Sequence, residues 1–304
     1  MTQTLSPQRF ASARAFVVRE GRPLDGALLR LSLGDGSAGE VLEALAPFQT
    51  PDGGFGRGLE PDMPSPASSA LATSIGLRLL VRAGAAADHP LTAGAIGWLG
   101  GALDRARGVW PIIGPGVDLA PHAPWWAWSD DLAAAWNGFR FNPTAEILAH
   151  LHHYRAAAPA GVLAAVEAGM RRTLAETQAI EGAYDLKCAV WLASSEAAPA
   201  DIQGGLTDLV RRSIAAHDPG DEHAPVFELA GSPASPFADA VADRVGPALD
   251  ALIAAQADDG GWRPFWDWSF VDAAAWAKAE RDWRGWLTRE ALETLRAWGR
   301  IAGG

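Results

Sequence analysis

An acidic pair stands in the glycine-rich segment 53–62. Glu60 and Asp62 are separated by one residue, and Arg57 precedes them. Two neighbouring carboxyl groups in an aromatic pocket can have separated pKa values, so that one donates a proton while the other is ionised. The segment therefore predicts acid–base chemistry by Glu60 and Asp62, with Arg57 as a substrate-binding residue. The alternative is that both carboxylates brace the loop.

Tryptophans stand beside the acidic residues of two further segments. In residues 124–133, Asp130 and Asp131 follow three tryptophans, and in residues 262–272 tryptophan alternates with aspartate. Indole rings offer large flat faces that suit apolar, aromatic or cationic ligands. The alternative is that the rings fill gaps between helices and the aspartates cap helices. The substrate-binding residues predicted from these segments are Trp125, Trp126, Trp128, Trp266, Asp267 and Trp268.

Two spacings can gather metal ligands. Asp185 stands three residues before Cys188, and Glu146, His150 and His153 share one face of a predicted helix. A lone cysteine on a helix is more typical of a small buried hydrophobic residue. Histidines near a helix C-terminus interact favourably with its dipole, which is typical of a solvated helix end. We therefore expect no metal ion at either place.

Composition narrows the function further. The chain has 25 Lys and Arg against 36 Asp and Glu, a net charge of −11, which argues against a general nucleic-acid binder. The sequence has no phosphate-binding loop, so we expect no cofactor. It also has no nucleophile elbow, which argues against a serine hydrolase. Its single cysteine excludes a disulfide framework. No run of 18 apolar residues occurs, because even the stretch 70–81 contains Arg78, and we expect a cytoplasmic protein without a transmembrane segment.

A short pattern recurs along the chain at the ends of predicted helices. It consists of Gln, then Gly four residues later, then an aromatic residue two positions after the Gly. A glycine at this place can end a helix because it adopts the left-handed conformation of a C-cap. The copies are Gln49-Gly53-Phe55, Gln178-Gly182-Tyr184 and Gln256-Gly260-Trp262, with Asp104-Gly108-Trp110 as a degenerate fourth.

Hydrophobic periodicity predicts helices throughout and no strands. Several starts carry Ser or Asn before Pro, which suits an N-cap followed by the first helical residue. Segment 24–32 is predicted as an additional short helix, and the long connection 105–142 as a lid. One set of helices is predicted at 37–49, 90–103, 160–177, 199–216, 245–257 and 288–301. The alternating set is predicted at 7–20, 66–83, 143–155, 184–195, 236–243 and 271–282.

These repeats in an alternating helical frame resemble those of the terpenoid cyclase and protein prenyltransferase toroids. The resemblance covers about residues 37–300. It implies an all-α fold, an (α/α)6 toroid that forms one domain over residues 1–304, with helix 7–20 closing the ring. It also implies that the Gln and aromatic residues of the repeat tie neighbouring helices together, and that the active cavity lies inside the ring.

The resemblance also implies a proton donor. Class II terpene cyclases protonate an alkene with the middle Asp of an Asp-x-Asp-Asp motif, and this chain has Trp128-Ser-Asp130-Asp131. Asp130 takes the position of the acid, although Trp128 replaces the first Asp of the motif. If the inner helices of the toroid all start at one rim, their N-terminal dipoles attract anions there. Three cationic residues lie near such starts and would add to this attraction: Arg57, Arg140 and Lys187. His122 and Asp185 complete the predicted substrate-binding residues.

The sequence leaves three functions open. The first is acid-initiated cyclisation of an apolar isoprenoid in a Trp-lined cavity. The second is a carbohydrate-active hydrolase or lyase, because tryptophans and carboxylates also suit sugars. The third is a toroid that binds a prenyl chain or a peptide without catalysis. The expected partner is an apolar small molecule. Whether the chain forms a homo-oligomer is left open by the sequence.

Overall fold

The computed structural model describes residues 3–135 and 140–302. Helices account for 60% of these residues, and the described residues contain no strand, so the all-α prediction is confirmed. Residues 136–139 of the predicted lid lie outside the described residues. The helices are α1 (Pro7–Glu20), α2 (Pro23–Leu33), α3 (Ala38–Leu45), α4 (Ala70–Arg82), α5 (Pro90–Ala102), α6 (Asp130–Ala135), α7 (Phe141–His153), α8 (Ala160–Glu176), α9 (Ala183–Ala193), α10 (Ala200–Ala216), α11 (Val226–Ala230), α12 (Val245–Ala254) and α13 (Ala273–Ala297).

The chain divides into two compact units. The terminal unit comprises the described parts of residues 1–44 and 218–304, and the central unit comprises those of residues 45–217. In the terminal unit, α1 and α2 pack against α13. In the central unit, α7 lies between α4 and α9, while α5, α8 and α10 pack against α4, α7 and α9 respectively. The single-domain toroid and its closure by helix 7–20 stay predictions.

Helix starts follow the Ser/Asn-Pro signal at one place and depart from it at others. Ser6 caps α1 by accepting a hydrogen bond from the backbone N–H of Arg9 at 3.3 Å. Ser65, by contrast, donates its hydroxyl to the backbone oxygen of Gly116 at 2.5 Å. Helix α4 therefore starts later than predicted, and Ser69 caps it. The prediction of a helix at 236–243 is wrong, because only a 3-10 turn forms there at Asp239–Val241.

Helix α13 is continuous where the sequence analysis predicted two helices. It contains no proline, and it runs unbroken through the predicted gap at 283–287. Gly285 lies in that gap, where a Cβ atom would come within 2.6 Å of the Cα atom of Gly21. This glycine therefore permits close packing on the neighbouring backbone instead of ending the helix.

Three copies of the repeat place their glycine in the same way. Their glycines have positive φ angles, which glycine adopts without steric cost. Each glycine also faces the backbone of a second helix, so closely that no Cβ atom fits. An added Cβ atom would lie 2.8 Å from Gly94 O at Gly53 (φ 92°), 2.5 Å from Ala165 O at Gly108 (φ 70°) and 2.7 Å from Ser12 O at Gly260 (φ 95°).

Two glutamines of the repeat tie their turns to a helix distant along the chain, α5 or α1. The Gln49 side-chain amide donates to the backbone oxygens of Gly53 and Leu91, both at 2.9 Å. The Gln256 amide donates in the same way to Gly260 O at 2.8 Å and Arg9 O at 3.0 Å. The resemblance implied this structural role.

The aromatic residues of the repeat bind the helices on either side. Phe55 and Trp262 are buried, and their backbone N–H groups donate to the hydroxyls of Thr73 and Thr288, both at 3.0 Å. The Trp262 indole N–H also donates to Leu252 O at 2.8 Å, at the end of the preceding helix. These contacts satisfy backbone groups that a helix end leaves free.

The copy at Gln178-Gly182-Tyr184 does not form this turn. Gly182 has a φ of −80°, and Gln178 and Tyr184 are exposed. Helix α9 begins immediately after Gly182, so Tyr184 belongs to its first turn. The structural role predicted for Gln178 and Tyr184 is therefore wrong, and Tyr184 has an exposed ring instead.

Replacing Gly53 tests the close approach. We expect Gly53→Ala to lower the free energy of unfolding by more than Gly84→Ala, the matched control. Gly84 also has a positive φ of 64°, but a Cβ atom there meets nothing within 4 Å. The control therefore measures the conformational cost alone, about 1–3 kcal/mol, and Gly53→Ala adds displacement of α5. Urea unfolding measures both, and equal losses would contradict the role of the contact.

Candidate functional site

The central unit contains a buried polar cluster where α4, α7 and α9 pack together. Helix α4 contributes a single arginine. The other members lie on faces of α7 and α9 that the helical period brings together, since residues three or four apart share a face. We call this group the polar cluster; its members are Arg78, Asn142, Glu146, His150, Cys188 and Trp191.

Glu146 lies at the centre of the cluster. One carboxylate oxygen, Oε1, lies 3.5 Å from Nε of Arg78 and 3.4 Å from Nε2 of His150. Burial alone would raise the pKa of Glu146, but the Arg78 charge and the His150 hydrogen bond outweigh it and lower this pKa to about 2. The buried carboxylate is therefore ionised and holds its two neighbours in place.

Cys188 completes the shell around this carboxylate. Its thiol lies 3.8 Å from the second carboxylate oxygen of Glu146 and 3.7 Å from the side-chain oxygen of Asn142. Burial, reinforced by the charges of Glu146 and Asp185, raises the pKa of the Cys188 thiol well above its usual range. The thiolate is the form that attacks or binds metal, so Cys188 acts here as a packed hydrogen-bond donor.

Asp185 and Arg140 come together at the start of α7. One Asp185 carboxylate oxygen accepts the backbone N–H of Asn142 at 3.0 Å, and the other lies 3.4 Å from the Arg140 guanidinium. Asn142 departs from helical geometry, and its peptide bond to Pro143 is cis. Asp185 therefore braces an irregular helix start, and the substrate-binding roles of Asp185 and Arg140 stay predictions.

The histidines of α7 differ in their exposure to solvent. His150 and His152 are buried, whereas His153 is exposed and packs edge-on against Tyr154. The interpretation of these histidines as a solvated helix end is wrong for His150 and His152. In the part of the chain that the structure describes, no three His, Cys, Asp or Glu side chains are placed to hold a metal ion.

Arg78 is the cluster residue that the sequence analysis did not assign to a site. Its guanidinium carbon lies 5.8 Å from the centre of the Trp191 ring, and that ring lies 5.9 Å from the His150 ring. The Arg78 side chain is 25% exposed, and Trp191 is 43% exposed. A charged residue in the middle of a largely apolar helix was the available signal, because such a charge needs a partner where it is buried.

The acidic pair of segment 53–62 is buried. Glu60 is 7% exposed and Asp62 is 2% exposed. The predicted lid contacts this segment, because the backbone N–H of Ala123 donates to Asp62 O at 3.0 Å. Arg57 is exposed, has a φ of 56° and donates to Pro47 O at 3.3 Å. The predicted lid is thus hydrogen-bonded to the loop in which the predicted acids lie.

The second acidic pair lies in a different environment. Asp130 and Asp131 are exposed in the first turn of α6. Ser129 provides the cap by accepting the backbone N–H of Leu132 at 3.0 Å, so the capping role considered for the aspartates is wrong. Carboxylates in a first turn still interact favourably with the helix dipole. The assignment of Asp130 as the acid stays a prediction.

The tryptophans near this pair belong to the lid. Trp125 is exposed, while Trp126 and Trp128 are half-buried. His122 links the lid internally, with its ring nitrogens 2.9 Å from an Asp118 carboxylate oxygen and 2.8 Å from Ala123 O. Their substrate-binding roles also stay predictions.

The aromatic segment of the terminal unit is buried in part: Trp262 and Trp268 belong to the core, whereas Phe265 and Phe270 are exposed. Trp268 is fully buried and lies 5.5 Å from the Trp276 ring. Trp266 is half-buried and lies 5.1 Å from the Trp283 ring. Asp267 is exposed and accepts the backbone N–H of Ser269 at 2.6 Å, which lowers the pKa of Asp267. Asp267 therefore stabilises a turn, and the binding roles of these residues stay predictions.

No protein-family model matches the sequence, and no curated protein shows significant similarity to it. Among the described helices, none is both long and apolar enough to cross a membrane.

Acid unfolding tests the ionised state of Glu146. A pKa of about 2 in the folded protein lies below the ordinary value of 4.5, so the unfolded chain binds the proton more readily. The stability that Glu146 contributes is therefore complete above pH 4.5 and is lost as the pH falls towards 2. We expect the stability advantage of the wild type over Glu146→Gln to shrink by about 2 kcal/mol between pH 6 and pH 3.

Urea unfolding at several pH values measures this difference. Glu196→Gln, at an exposed position, is the matched control and should track the wild type throughout. A Glu146→Gln difference that does not change with pH would contradict an ionised, charge-paired Glu146.

The single cysteine reports on the cluster directly. We expect Cys188 to resist alkylation by iodoacetamide at pH 8 in the folded protein, because it is buried and its pKa is raised. The same protein in denaturing guanidinium chloride is the control and should react fully. Mass spectrometry counts the adducts, and rapid labelling of the folded chain would refute a packed thiol.

Proposed function

We propose that the chain is an (α/α)6 toroid similar to the terpenoid cyclases, with α4, α7 and α9 among its inner helices. Support comes from the three repeat turns, which share the glycine conformation and the close approach to a second helix. It also comes from the regular pairing of α4 with α5, α7 with α8 and α9 with α10.

The proposed activity is acid-initiated cyclisation of an apolar isoprenoid. The observation that carries it is the burial of Glu60 and Asp62 in a loop that is hydrogen-bonded to the segment with Trp125, Trp126 and Trp128. An acid that protonates an alkene must be shielded from water, since water competes for the proton and quenches the cation. Asp130 and Asp131 are exposed, so we assign the proton donor to the pair Glu60 and Asp62.

The step needs no metal ion. One carboxyl group of the pair gives up its proton as its O–H bond breaks, and the π electrons of an alkene form the new C–H bond. The resulting cation closes a ring and later loses a proton, which restores the acid directly or through water. The faces of Trp125, Trp126 and Trp128 are suited to stabilising the cation, since aromatic rings attract positive charge.

Product analysis tests the activity. The protein is incubated with prenyl diphosphates of ten to twenty carbons and with squalene, each with magnesium and with a chelator, and products are identified by mass spectrometry. We expect a cyclised product that persists with the chelator. Glu60→Gln or Asp62→Asn should reduce its formation at least about 100-fold, the effect expected for a general acid.

Asp130→Asn is the matched control for this assay. It removes an exposed carboxylate of the same type, and under this assignment it should retain most of the activity. Loss of activity in Asp130→Asn with full activity in Glu60→Gln and Asp62→Asn would move the acid to Asp130. Failure of the wild type to convert any isoprenoid would refute the proposed activity.

A further inference from the structure

We propose that Arg78 and Trp191 form a recognition site for an oxyanion, a carboxylate or a phosphate, carried by a ligand with a flat apolar part. The site lies at the edge of the polar cluster, where both side chains are in part exposed. It is separate from the loop that carries Glu60 and Asp62, and it does not depend on the proposed cyclisation.

The first argument is the state of the Arg78 donors. A guanidinium has five N–H donors in a planar fork. Among the described residues, Arg78 has one ion-pair contact, from Nε to Glu146 at 3.5 Å. No hydrogen bond to a described residue engages its two terminal nitrogens, and these atoms are accessible to solvent, so a ligand can reach them.

The second argument is that the fork is held in place. The ionised Glu146 holds the Nε side by charge, and the Trp191 ring lies 5.8 Å from the guanidinium carbon. A guanidinium that is already oriented loses little conformational freedom when a ligand binds. Its terminal nitrogens match the two oxygens of a carboxylate or a phosphate.

The third argument concerns the neighbouring face of α9. Tyr184, Lys187 and Trp191 share this face, because they lie within one helical stripe. Tyr184 is 50% exposed, and the Lys187 ammonium lies 4.7 Å from its ring centre. Tyr184 and Trp191 stand seven residues apart, about 10 Å along the helix. The cations would attract the anionic part of a ligand, and the exposed rings beside them would contact an apolar group attached to it.

The charges around Arg78 agree with an anionic ligand. Among the described residues, Glu146 is the one carboxylate in an ion pair with Arg78, and Asp185 is engaged by Arg140 and by the backbone of Asn142. Lys187 adds a positive charge on α9, beside the Tyr184 ring.

Titration by nuclear magnetic resonance with four simple probes tests the site. Benzoate and phenyl phosphate carry a ring beside the anion, whereas acetate and inorganic phosphate do not. We expect the ring-bearing probes to bind the wild type more tightly than their small counterparts. The comparison of benzoate with phenyl phosphate identifies which oxyanion the fork prefers.

Two variants separate the roles of the residues. Arg78→Lys keeps a positive charge beside Glu146 but removes the fork, and it should weaken binding about 10-fold. Trp191→Leu should weaken the ring-bearing probes about 3-fold and leave inorganic phosphate unchanged. Arg171→Lys is the matched control, because Asp201 and Glu167 already occupy the fork of Arg171, and it should bind like the wild type.

The outcomes decide the proposal whatever the cyclase assay shows. Absence of binding by the wild type, or equal binding by wild type and Arg78→Lys, would overturn it. If Arg78→Lys does not fold, as judged by circular dichroism, Trp191→Leu carries the test, and unchanged affinity for benzoate and phenyl phosphate would then overturn it.

Discussion

Close contact between a turn and the backbone of a second helix is the constraint on which the repeated structure depends. At Gly53, Gly108 and Gly260 the turn approaches helical backbone so closely that no side chain fits. Such contact fixes the turn against α5, α8 or α1, and the Gln49 and Gln256 amides join the two backbones at α5 and α1. The turns also precede α4, α7 and α13 along the chain, so they influence where the side chains of these helices are placed.

Each unit contains an arginine that is paired with a buried carboxylate and lies beside a tryptophan. In the terminal unit, Arg289 meets Asp25 at 3.5 Å and Glu293 at 2.9 Å against a buried Trp286. Although burial alone would lower the pKa of Arg289, these carboxylates raise it, so the charge is retained. In the central unit, Arg78 has one carboxylate and Trp191 is exposed. The guanidinium of Arg289 is therefore surrounded by carboxylates and a buried ring, whereas that of Arg78 is accessible to a ligand.

Local patterns in the sequence predict the elements well and their ends less well. Helical periodicity and the glycine turns are properties of neighbouring residues, so the all-α class and three of the repeat turns followed from them. The helix start predicted at residue 66 and the break predicted at 283–287 are wrong because the contacts that decide them, Ser65 with Gly116 and Gly285 with Gly21, join residues distant in sequence. Whether a capping residue caps a helix, and where a helix ends, is decided by such contacts.

The polar cluster shows why a site is harder to predict than a helix. The sequence analysis considered Glu146 and His150 as one metal-ligand spacing and Cys188 as part of another, each within one helix. Their shared role arises because α4 supplies a charge that neither spacing contains, and an arginine in an apolar helix must be paired or placed near an anion. Glu146 supplies one partner for Arg78. The remaining donors of Arg78 have no acceptor among the described residues, and a ligand that fills them would be found by no spacing within a single helix.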